Sequence, residues 1–114
     1  MARFIMTLII CAISAHILFA DNGRQADRYV KEAEYYQRKA DNYRREAQFY
    51  LKKAEGYERD ATSHTKKGNT DRAKYLQRKA SRAMEYYWTQ MRYATNADDR
   101  AADYLRKASN ILRK

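Results

Sequence analysis

The residues of this chain that could do chemistry are few and scattered. Cys11 is the sole cysteine, His64 is the one histidine after residue 16, and Asp98, Asp99 and Asp103 form a local group of acids. A lone histidine lacks the companion ligands that a metal site needs, so His64 is expected to be a surface residue. Asp99 and Asp103 lie four apart and would share a helix face, a spacing that suits a weak oxygen site for Ca²⁺. Arg100, Arg106 and Lys107 stand beside them, so ion pairing is the expected use. No GxSxG, HExxH or P-loop pattern occurs. The expectation is a non-enzymatic protein with no catalytic residues, no cofactor and no metal.

The elements that would position any functional residue are set by an internal repeat. Written in rows of seven from residue 26, one column reads Ala26, Ala33, Ala40, Ala47, Ala54, Ala61 and another Tyr29, Tyr36, Tyr43, Tyr50, Tyr57. Only at His64 does the tyrosine column end. Spacings of three and four place both columns on one helix face, as the a and d positions of a heptad. The f column is basic throughout: Lys31, Arg38, Arg45, Lys52, Arg59. The b column is mostly acidic, with Asp27, Glu34, Asp41 and Glu55. An acid four residues before a base is the favourable order on a helix, worth ~0.3–0.5 kcal/mol per pair. Proline is absent and only three glycines occur, so few breaks are expected.

Residues 64–71, HTKKGNTD, carry the clearest turn signal. Gly68 suits the left-handed residue that ends a helix, and Asn69 or Thr70 suits the cap of the next. The repeat resumes with Ala73, Ala80, Tyr87, Ala94, Ala101, Ala108 at a and Leu76, Ala83, Gln90, Ala97, Tyr104, Ile111 at d. The fold class is therefore expected to be all-α. It is read as two long antiparallel helices, about 24–65 and about 71–112, joined by a turn at about 66–70 into an α-hairpin of Ala/Tyr coiled-coil type. The arrangement resembles Ala-rich antiparallel coiled coils in architecture. Gly56, inside the first helix, costs ~1 kcal/mol relative to alanine, and nothing in the sequence accounts for it.

Residues 1–20, MARFIMTLIICAISAHILFA, join one base to an apolar run ending in a small residue, the pattern of a secretory signal peptide. Residues 21–114 would then be the mature hairpin, secreted and extracellular. Its charge would fall from +10 to +9 by loss of Arg3.

A two-helix seam of alanines makes a thin core. The second run carries apolar residues outside its seam, and Met84, Tyr86, Tyr87, Trp88, Met91 and Tyr93 are read as its interaction surface. These residues either widen the intramolecular seam or form a second apolar face that pairs hairpins into a four-helix bundle. The expected partner is a second copy of the chain. The basic f column, Lys31, Arg38, Arg45, Lys52 and Arg59, would face acidic polysaccharide, acidic protein or a mineral surface. A membrane surface ranks lower, because the apolar stripe is Ala and Tyr rather than Leu, Ile or Phe. Nucleic acid ranks lower still, since the tyrosines fall on the seam and not among the bases. Tyr35, Tyr75, Tyr86 and Tyr93, off the seam, are candidates for oxidative cross-linking. In composition, though in no motif, the chain resembles the small Lys- and Tyr-rich proteins of invertebrate shells, threads and glues. That likeness implies a secreted structural protein of a matrix, secretion or coat. The alternative is a secreted helical binding factor (effector, toxin-like or inhibitor) that docks through the Trp88 region.

Overall fold

A long run of good helix formers needs only a stop signal in the middle to fold back on itself, and the chain does so once. The structure is a computed structural model that describes residues 21–113; the expected signal segment, residues 1–20, lies outside them. Two helices, α1 (Asp21–Lys66) and α2 (Thr70–Leu112), pack as a hairpin. Among the described residues there is no strand.

The connection is a tight helix cap. Gly68 has a positive φ of 83°, the left-handed conformation that side chains with a Cβ resist. The Gly68 amide donates to the Thr65 carbonyl at 3.1 Å and the Asn69 amide to the His64 carbonyl at 2.8 Å. This is the paired closure of a Schellman motif, which satisfies carbonyls that the last turn leaves open. The Asn69 carbonyl accepts from the Ala73 amide at 3.0 Å, so Asn69 caps α2. Its side-chain amide also lies 3.3 Å from Nδ1 of His64, which ties the two helix ends together. Asp71 sits in the first turn of α2, where the helix dipole favours a negative charge.

The buried face of each helix follows the heptad. Among the described residues, thirteen of the sixteen buried hydrophobic side chains are alanine, the others being Val30, Leu76 and Leu105. The chain divides into two units. The first joins residues 21–40 to 95–113. Its core is Ala26, Val30 and Ala33 of α1 against Ala101, Leu105 and Ala108 of α2, flanked by Tyr29, Tyr36, Tyr104 and Leu112. The second unit, residues 41–94, contains the turn. It buries Ala47, Ala54 and Ala61 of α1 and Ala73, Leu76, Ala80, Ala83 and Ala94 of α2. Gln90, the polar residue of the second seam, is half-buried.

An alanine with no exposed surface must be covered by atoms close to its own backbone. The small a residues therefore let the helices approach, and the tyrosines at d stand half-buried beside them. Each alanine methyl contributes only about 0.8 kcal/mol on burial. Much of the remaining burial falls to the flanking aromatic rings.

Two glycine substitutions test the backbone assignments, each checked by urea denaturation. Gly68→Ala puts a Cβ at positive φ and should lower stability by about 1–2 kcal/mol. Gly56→Ala should raise it by about 1 kcal/mol, because the added methyl would meet nothing nearer than an Arg59 side-chain nitrogen at 3.9 Å.

Candidate interaction surface

The tyrosines at d on α1 need cover that a single methyl on the partner helix does not supply. In the second unit this cover comes from the g column of α2. Tyr50 packs on Tyr86 with ring centroids 5.1 Å apart, and Tyr43 on Tyr93 at 5.4 Å. The register follows from the turn: Tyr50 and Tyr86 stand eighteen residues either side of Gly68, and Tyr43 and Tyr93 twenty-five. Tyr86 and Tyr93 are thus edge partners of α1 while keeping nearly half their surface in solvent. For these two residues the geometry is that of a widened intramolecular seam. Their pairing was readable from the sequence once the turn was taken as the centre of symmetry.

In the first unit cations share this work. Tyr104 stacks on Tyr36 at 5.8 Å and lies 6.0 Å from Tyr29. The Lys107 ammonium lies over both Tyr104 and Tyr29, at 5.0 and 5.9 Å. Arg100 lies over Tyr36 and donates to its hydroxyl at 3.3 Å. Both cations are exposed, and cation–π contacts at such sites contribute about 0.5–1 kcal/mol. Tyr35, the other off-seam ring of this unit, meets Tyr36 edge-on and carries Lys39 over its face.

Trp88 differs from the paired rings. Among the described residues it is the most exposed large hydrophobic one, at 62%, and its ring meets Tyr87 in a T-shaped contact at 4.9 Å. Tyr87 lies in the seam and is half-buried, as are Met84 and Met91 one turn to either side. The six residues read as an interaction surface therefore separate. Tyr86 and Tyr93 cover α1, Tyr87, Met84 and Met91 bridge from the seam toward solvent, and Trp88 stands out from it.

The basic f column of α1 is exposed at all five positions, Lys31, Arg38, Arg45, Lys52 and Arg59. Lys31 pairs with Asp27 at 3.2 Å, the i,i+4 geometry expected from the spacing. Arg44 pairs with Asp41 at 2.8 Å, both side chains about one-third exposed. At the acid group of α2, Asp103 takes an ion pair with Arg106. Among the described residues no group of three His, Cys, Asp or Glu side chains converges as a metal site would require, and no helix is long and apolar enough to cross a membrane.

No protein family, curated protein or solved structure matches this chain.

The two classes of aromatic should respond differently to truncation. A double-mutant cycle on Tyr50→Ala and Tyr86→Ala should show a coupling of about 0.5–1.5 kcal/mol, as aromatic pairs do. In dilute solution Trp88→Ala should change hairpin stability by no more than about 0.5 kcal/mol, as surface substitutions do. Chemical denaturation of the four cycle proteins and of the Trp88 variant measures both.

Proposed function

We propose that this chain is a secreted, non-enzymatic structural protein of an extracellular matrix, secretion or coat, which associates with itself and bridges acidic polymers or mineral surfaces. The observation that carries the reading is Trp88. Trp88 is 62% exposed and shares its side of α2 with the half-buried Met84 and Met91, four residues before it and three after, an apolar patch of the kind that marks contact sites. The thin alanine seam supports a second copy as the cover. Among the described residues no large side chain is wholly buried, so a face contributed by another hairpin would add what the single hairpin lacks. Trp88, with Met84 and Met91 beside it, has the chemistry of such a contact: a large ring with adaptable thioethers. The net charge of +10 supports acidic partners, and the apolar segment at residues 4–15 supports export.

A secreted binding factor is the second reading, favoured by the confinement of the most exposed ring to one place on α2. Sedimentation equilibrium distinguishes the two. The structural reading expects a dimer at micromolar concentration, weakened at least about tenfold by Trp88→Ala. A strict monomer at the same concentration would remove self-association and leave the binding factor.

A further inference from the structure

The positive charge of this chain is not spread along it. Residues 21–60 hold ten bases and nine acids, and residues 85–114 six bases and four acids. Residues 61–84, which comprise the end of α1, the turn and the first four turns of α2, hold seven bases and a single acid, Asp71. That stretch alone accounts for six of the ten net charges, and it lies wholly within the second unit.

The bases there are arranged as well as numerous. Lys74, Arg78 and Arg82 follow each other at four-residue steps, roughly 6 Å apart along a helix. Together with Gln77, Ser81 and Glu85 they line a shallow surface groove on α2. All three are exposed, as are Lys66, Lys67 and Arg72 around the turn. Like charges at four-residue spacing repel and weaken a helix by a few tenths of a kcal/mol each. On α1 that repulsion is relieved by an acid column; here acids stand only at the two ends of the row, Asp71 three residues before Lys74 and Glu85 three after Arg82, and no acid lies three or four residues from Arg78. A local charge density held at a cost to the helix is what an anionic ligand would relieve.

We infer that the turn end of the hairpin, with the Lys74–Arg78–Arg82 groove at its centre, is the binding site for a linear anionic polysaccharide. This rests on the reading of the chain as a polymer-bridging protein and moves the contact away from the f column of α1. The surroundings of the groove select this partner over other polyanions. Gln77 and Ser81 offer hydrogen bonds suited to hydroxyl, sulfate and carboxylate groups, and no apolar residue lines the groove for insertion into lipid. Tyr75, the aromatic ring nearest these bases in sequence, already carries Arg72 at 5.0 Å and Lys79 at 5.4 Å. It is not a free platform on which a nucleic-acid base would stack.

The test uses the protein with heparin as the probe polysaccharide, in a salt titration. Two triple variants lose the same charge: Lys74→Gln/Arg78→Gln/Arg82→Gln in the groove and Arg38→Gln/Arg45→Gln/Lys52→Gln in the f column. Circular dichroism confirms that both keep their helices, as exposed substitutions should. The groove variant should bind heparin at least about tenfold more weakly and with a flatter dependence on salt, while the f-column variant loses less than about threefold. Equal losses in the two variants, or a larger loss in the f-column variant, would overturn the groove and leave polymer bridging intact. Absence of heparin binding at low salt would overturn both. Tighter binding of single-stranded DNA, or of vesicles containing phosphatidylserine, than of heparin at the same salt would overturn the choice of partner.

Discussion

A column of alanines is a demand for proximity. A methyl group reaches only a short distance from its backbone, so it is removed from water only when the opposing helix comes close. In this hairpin the a column of α1 is alanine throughout and is buried throughout, and most other features answer that arrangement. The methyls bury little area, which makes the rings at the seam edges energetically important. The rings stand beside the contact and need cover of their own. That cover is supplied by residues on α2 whose positions are fixed once the turn is fixed: tyrosines in the unit that holds the turn, and Tyr104 with Arg100 and Lys107 in the other. A cation is a suitable cover at such a place because it satisfies the ring face while its own charge stays at the solvent edge.

The turn has a second role beyond reversing the chain. Gly68 sets the register, because an inserted or deleted residue there would shift every partner of the α1 tyrosines along the helix. The Schellman closure and the Asn69 cap hold that register with backbone hydrogen bonds that do not depend on packing. The same short segment lies in the stretch where bases outnumber acids, so that the capped turn and most of the net charge occupy the same part of the chain.

The hairpin was legible because its signals are local and periodic. The Ala and Tyr columns, the Gly68 stop and the Asn69 cap can each be read within a few residues, and the helical hairpin is what the structure shows. What lay beyond this was relational. Tyr86 and Tyr93 look off-seam in the heptad of α2, because that frame describes one helix; their pairing with Tyr50 and Tyr43 belongs to two. The f column of α1 looks like a basic face when its column is read alone. Counted with the acids beside it, that helix is nearly neutral, and the excess charge falls in a stretch where the heptad is interrupted. Trp88 lies outside the seam columns, and among the described residues it is the most exposed large apolar side chain.

The central claim is that these helices are held by closeness rather than by bulk. In a seam spaced for larger side chains, replacing a buried alanine by leucine would add apolar burial and stabilise the protein. In a seam spaced for methyl groups it would force the helices apart. The direct measurement is the urea denaturation of Ala47→Leu, at a position with no exposed surface, beside Gln48→Leu at its exposed neighbour. The account predicts a loss of about 1–3 kcal/mol for Ala47→Leu, the cost of overpacking, and little change for Gln48→Leu. A gain in stability from Ala47→Leu would contradict it.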